Sequence, residues 1–203
     1  MDVGTSGGKI TAMIKGIIFD LFGVISSEVA PFWFWKHFSE EKYNELKNEY
    51  TKPLDLGLIS QSEYFAKLAG ISKTSPNIVR DKFFSYVEIN NDVIDLIKEL
   101  KKKFKIALCS NASGSFVREI LKKHRLEDLF DVTVISSDLG ATKPDKKVYQ
   151  ETLDRLGLLP TEVILIEDNP KNIEGGEAVG IKGILFKSAD KLRESLFSEI
   201  KNS

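Results

Sequence analysis

Two kinds of apolar pattern alternate along this chain. The first is the short unbroken run: Ile17-Ile18-Phe19, Lys105 to Cys109 (KIALC), Val132 to Ile135, Val163 to Ile166 and Gly183 to Phe186. Runs of this length and purity predict strands buried on both faces. The second recurs every three or four residues, as in Val93, Ile94, Ile97 and Leu100, then Phe116 to Leu121, Pro144 to Leu156, Asn172 to Val179 and Asp190 to Ile200. That spacing predicts helices with one apolar face. Gly180 ends one of them, and Pro144 is expected in the first turn of another. Strand and helix in alternation imply right-handed crossovers and a doubly wound, Rossmann-like parallel sheet of α/β class.

Between the first strand and the second the rhythm changes. Ala30 to Ala69 is rich in aromatics and charges at helical spacing, with Ser39 a candidate N-cap and Glu41 and Lys47 among the outward charges. Pro53 and Gly57 are expected to break the pattern, Gly70 to stop the next helix, and Ser75-Pro76 to start another. Four successive aromatics, Phe32 to Trp35, cannot share one helix face. Some are expected in the core of this segment and others against the sheet. The predicted organisation is a helical cap over residues 26–87, inserted after the first strand of an α/β core formed by 13–25 and 88–203. Residues 1–12 read as a flexible tail or an added leader, with Met13 a plausible start.

Composition narrows the function classes. The 203 residues carry 29 basic and 30 acidic side chains, which gives no reason to expect nucleic acid or an anionic membrane as partner. No apolar run approaches the roughly 20 residues that span a bilayer, and the first twelve lack the pattern of a signal peptide. One cysteine, Cys109, excludes an internal disulfide and suits a reducing cytoplasm; it lies inside a strand run with no adjacent base, so it reads as inert core. Two histidines, His37 and His124, are too few for a histidine metal cluster.

The chemistry gathers where the strands end. Asp20 follows the first run, with Gly23 three residues on to let the backbone turn; Ser110-Asn111 follow the second and Glu167-Asp168 the fourth. Parallel strands deliver their carboxyl ends to one edge, so these groups converge, and Lys143, in the loop before a helix, reaches the same edge. Two or three carboxylates with waters suit Mg²⁺. The Ser110 hydroxyl and neighbouring N–H groups suit a phosphate oxygen, Lys143 neutralises charge, and Asp20 is placed to act as a nucleophile.

These segments resemble the four motifs of the haloacid dehalogenase (HAD) superfamily: FDLFGVI the first, CSNAS the second, TKPDKKVYQ the third and LIEDNPKNIEGGEAVGI the fourth, in order, from about Met13 onward. The third and fourth look closest to the subgroup of sugar-1-phosphate phosphatases and epoxide hydrolase phosphatase domains. The resemblance implies a Mg²⁺-dependent hydrolase of small phosphorylated metabolites acting through an aspartyl-phosphate, monomeric or homodimeric. Asp20 would be nucleophile and metal ligand, the Phe22 carbonyl a second ligand, Asp168 a third, with Glu167 beside it. Ser110 and Asn111 would hold the phosphoryl oxygens and Lys143 would pair with Asp20 and the phosphate. Phe22 and Gly23 would border the substrate.

One position departs from the pattern. Most phosphatases of the superfamily carry an aspartate two residues after the nucleophile as general acid and base; this chain has Phe22. Two alternatives follow. A metal-independent 2-haloacid dehalogenase has an aromatic there, but Glu167-Asp168 and the absence of arginine from residues 21–79 speak against it. A binding protein that has lost turnover is the other, against which stands the retention of Asp20, Ser110, Lys143 and Asp168 together.

Overall fold

The computed structural model describes residues 13–202; the expectations for residues 1–12 lie outside them. Five strands form one parallel sheet: β1 (Gly16–Phe19), β2 (Lys105–Ser110), β3 (Val132–Ile135), β4 (Val163–Glu167) and β5 (Lys182–Leu185), in the order β3-β2-β1-β4-β5. The strand that carries Asp20 is therefore central, and Phe19 pairs in register with Leu108 on one side and Ile166 on the other. Strand periodicity sorts the side chains. Ile17, Phe19, Ile106, Leu108, Ile164 and Ile166 share one cluster with Val93, Ile97 and Leu196. Ile18, Ala107, Cys109, Val163 and Leu165 share another, with Val148, Tyr149 and Leu153. A sheet buried on both faces is why the strand runs are apolar without alternation.

The predicted helices are present with shifted ends. Those flanking the sheet are α6 (Asn91–Leu100), α7 (Gly114–His124), α9 (Lys146–Leu156), α10 (Pro170–Glu177) and α11 (Ala189–Lys201). Pro144 does not open α9. Asp145 is its N-cap, accepting from the Lys147 N–H at 2.9 Å. A short helix, α8 (Ser136–Leu139), follows β3 directly and was not anticipated.

The insertion after β1 is helical throughout: α1 (Ala30–His37), α2 (Glu40–Leu46), a π-helical turn (Lys47–Thr51), α3 (Lys52–Asp55), α4 (Gln61–Ser72) and α5 (Pro76–Ser85). Ser39 and Ser75 cap α2 and α5 as expected. Pro53 does not break the chain; it sits in α3 directly after the π-helical turn, in backbone that stays helical through Thr51 and Lys52. Gly70 lies inside α4, which runs on until Lys73 adopts a left-handed conformation, φ 52°. Trp33 and Phe34 are buried in the insertion's own core, while Phe32 and Trp35 are exposed rather than laid on the sheet. That core continues into Phe116 and Ile120 of α7, which ties the insertion to the sheet domain. The entering and leaving segments pair as well. The Ser27 N–H donates to Glu88 O at 2.9 Å, and the Asn90 N–H to Ile25 O at 2.9 Å.

Candidate active site

Asp20, the Ser110–Asn111 pair and Glu167–Asp168 meet at the carboxyl edge of β1, β2 and β4, because the in-register pairing sets these strand ends level. Ligand oxygens of Asp20, Glu167 and Asp168 lie within 4.8 Å of one another. The Lys143 ammonium is buried behind them. It lies 2.5 Å from Glu167 Oε2 and 3.1 Å from Asp20 Oδ1, and donates to Cys109 O at 2.9 Å. Its hydrogen bonds go to Glu167 and Cys109 O, and Asp20 is held as an ion pair. Lys143 thus neutralises the acids from the protein side.

Each acid is also fixed by the backbone. Asp20 Oδ1 accepts from the Leu21 N–H at 2.7 Å, and Glu167 Oε1 from the Asn169 N–H at 3.1 Å. Burial raises the Asp20 pKa well above the carboxylate range, with Lys143 opposing and Glu167 adding to the rise. Burial also works against ionised Glu167, but the shorter bond to Lys143 wins and lowers its pKa. Asp168 is pushed up to about 7, first by burial and then by its hydrogen bond with Glu167 and that residue's charge. Three close oxygens, two of them on acids reluctant to ionise, form a hard donor set that a small divalent cation relieves. The residues present fit Mg²⁺ in type and spacing.

The second motif divides its labour. The Ser110 hydroxyl is fully buried and has no hydrogen-bond partner among the described residues. Asn111 lines the cavity, but its side chain clasps the Lys143 backbone. Nδ2 donates to Lys143 O at 2.9 Å, and Oδ1 accepts from the Lys143 N–H at 2.7 Å. It therefore holds the lysine loop in place. Gly23 turns with φ +80°, and a Cβ there would overlap the Asp168 carboxylate. It abuts that acid rather than the substrate space. Cys109 is buried and its thiol is pushed up to about 11 by burial, in keeping with an inert role.

A cavity of about 480 Å³ opens over Asp20, Glu167 and Asp168. Phe22 lines it and stacks on Phe116, ring centroids 6.1 Å apart. Its far side is built by the insertion and carries Glu28, Tyr43, Lys47 and Asp55. None of these was singled out from the sequence as a site residue; Lys47 is exposed, as expected, and also lines the cavity. Among the described residues, no helix is long and apolar enough to cross a membrane.

A sheet of this order with an acid cluster at its carboxyl edge and a helical cap over it defines a class of hydrolase. Residues 17–186 match the haloacid dehalogenase-like hydrolase family, and the chain belongs to it. It is 26% identical over 188 residues to a phosphorylated carbohydrates phosphatase of Thermotoga maritima, covering 84% of each chain. It is 30% identical over 123 residues to pyrophosphatase PpaX of Bacillus cereus, covering 55% of this chain and 57% of that one. Among solved structures, a HAD family enzyme from Bacteroides thetaiotaomicron in complex with magnesium and inorganic phosphate superposes with a TM-score of 0.73 at 23% identity. That match covers 86% of this chain and 94% of the other.

Proposed function

We propose that this hydrolase cleaves small phosphomonoesters, sugar phosphates foremost, with Asp20 as nucleophile. The observation that carries the reading is the convergence of Asp20, Glu167 and Asp168 oxygens within 4.8 Å on the wall of a cavity. Asp20, the Phe22 carbonyl and Asp168, with Glu167 beside them, would hold Mg²⁺, which supplies positive charge to the phosphoryl oxygens. Lys143 opposes the effect of burial on Asp20, and with the added charge of the cation its carboxylate would be ionised, so that its free oxygen attacks phosphorus and forms an aspartyl-phosphate. Ser110, whose hydroxyl lacks a partner among the described residues, would donate to a phosphoryl oxygen. The insertion, read as a cap over residues 26–87, excludes bulk water from the cavity. The relative in Thermotoga maritima, named for phosphorylated carbohydrates, supports the substrate class.

The test is a panel of p-nitrophenyl phosphate and sugar phosphates, with and without Mg²⁺. Metal-dependent phosphate release that falls by at least about 10³-fold in Asp20→Asn is expected. Phe22 favours a second reading, the metal-independent dehalogenase, whose signature is chloride release from 2-chloropropionate without metal. Silence in both assays would support a binding protein.

A further inference from the structure

Phe22 occupies the position from which a proton would be expected, and its ring is stacked on Phe116 with nothing to donate. Leaving-group departure still needs a proton unless the leaving oxygen is already stable as an anion. The cavity contains two carboxyls outside the sheet-edge cluster, Glu28 and Asp55. They are not equivalent. Asp55, at the end of α3, senses the charges of Lys47 and Glu28. Glu28 senses Lys47, and also Glu167 and Lys143, and its own charge acts on Asp168. Of the two, Glu28 is the one whose charge interacts with the sheet-edge cluster.

The placement of Glu28 follows from the chain path. After Asp20 the backbone turns at Gly23 against Asp168. It is then pinned at Ser27, whose hydroxyl donates to Tyr86 O at 2.6 Å and accepts from the Glu88 N–H at 3.0 Å. Glu28 is the next residue, at the stem of the insertion and half-buried. Its carboxyl makes no hydrogen bond to any described residue. A half-buried carboxyl that faces a cavity and is left unpartnered is available to a ligand. Burial raises its pKa, with Lys47 opposing, which favours the protonated form a general acid needs.

We propose that Glu28 is the general acid and base of this hydrolase, in place of the side chain missing at position 22. The inference rests on the phosphomonoesterase reading. As Asp20 attacks phosphorus, the bond from phosphorus to the leaving oxygen breaks. That oxygen keeps the electron pair and takes the proton from Glu28. The Glu28 carboxylate then takes a proton from water as the water oxygen attacks the aspartyl-phosphate. The bond to Asp20 breaks, its carboxylate is restored, inorganic phosphate leaves, and Glu28 is protonated again.

The experiment compares kcat/KM of wild type and Glu28→Gln for a sugar phosphate and for p-nitrophenyl phosphate, with Mg²⁺ present. Loss of the acid is expected to cost about 10²–10⁴-fold on the sugar phosphate and under about threefold on the nitrophenyl ester, whose leaving group needs no proton. Rapid mixing of Glu28→Gln with p-nitrophenyl phosphate should give a burst of nitrophenolate, because the phosphoenzyme then waits for its base. Glu28→Asp, which keeps the acid, should recover at least about tenfold on the sugar phosphate. A melting curve and calorimetric binding of inorganic phosphate with Mg²⁺, both close to wild type, guard against misfolding. Equal losses on both esters, or no loss on either, would overturn the proposal while leaving the hydrolase reading intact. Wild-type inactivity on both esters would remove the parent reading and this one with it.

Discussion

The two banks of the cavity are built on opposite plans. On the sheet side, Asp168 apart, the charges are engaged: Lys143 donates to Cys109 and Glu167 and pairs with Asp20, and those two acids take further bonds from the backbone. On the insertion side Glu28, Lys47 and Asp55 carry charges with no side-chain hydrogen bond among the described residues. A fully bonded cluster holds reacting atoms in place without reorganisation. An unbonded one leaves its groups open to whatever enters. The comparison suggests that chemistry is fixed on the sheet and recognition is deferred to the insertion.

The sharpest way to break that contrast is to remove the cation from the bonded bank. In Lys143→Met, Asp20 and Glu167 are left buried and facing each other without a counter-charge. Breaking a buried pair from one side typically costs about 3–5 kcal/mol, so the urea midpoint should fall steeply. Added Mg²⁺ should restore part of the loss by supplying another positive charge. A loss under about 1 kcal/mol would mean that the acids protonate at little cost, and that Lys143 is not what organises them.

A smaller effect is expected from Gly23→Ala. Position 23 combines φ +80°, where an L side chain is strained, with a Cβ site already filled by the Asp168 carboxylate. The methyl group must displace that acid. Mg²⁺ affinity, measured calorimetrically, should weaken by about 10–100-fold, the usual scale for disturbing the support of a metal ligand. Unchanged affinity would show that Asp168 is not a ligand.

The two banks also differed in how far the sequence revealed them. Asp20, Ser110 and Glu167 each close an apolar run, and parallel register makes strand ends converge, so the bonded bank was readable before any coordinates. Lys143 was readable as a neighbour but not as a buried one. Its position depends on the Asn111 amide gripping its backbone, a contact across 32 residues that no local pattern encodes. The insertion bank was unreadable for a different reason. Lys47 is exposed, as its helical spacing predicts, and still lines the cavity, which periodicity does not encode. Glu28 and Asp55 close no strand and lie in a charged, aromatic stretch where a carboxylate usually means a solvated face. Only tertiary packing turns them inward.

That inward turn has a stability cost which pH exposes, and Asp55 isolates it. Burial pushes its carboxyl up to about 7 from an ordinary value of 3.8, with Glu28 adding and Lys47 opposing. Between those values the folded chain holds a proton that the unfolded chain has lost. Stability attributable to Asp55 therefore falls as pH rises from about 4 to about 7, and the full penalty is present above 7. Asparagine keeps the shape and removes the charge. Asp55→Asn, metal-free, is expected to gain on the order of 1 kcal/mol at pH 8 and progressively less toward pH 4 in urea denaturation. Asp168, the other acid raised to about 7, stays in place in both proteins and cancels from the difference. A loss at pH 8 would show instead that the Asp55 charge is engaged with Lys47, and the insertion bank would then be as fully bonded as the sheet. A gain means that the fold carries an uncompensated carboxylate over its active cavity at neutral pH. A ligand group that donates to Asp55 would remove that penalty, making binding to this bank more favourable as the pH rises.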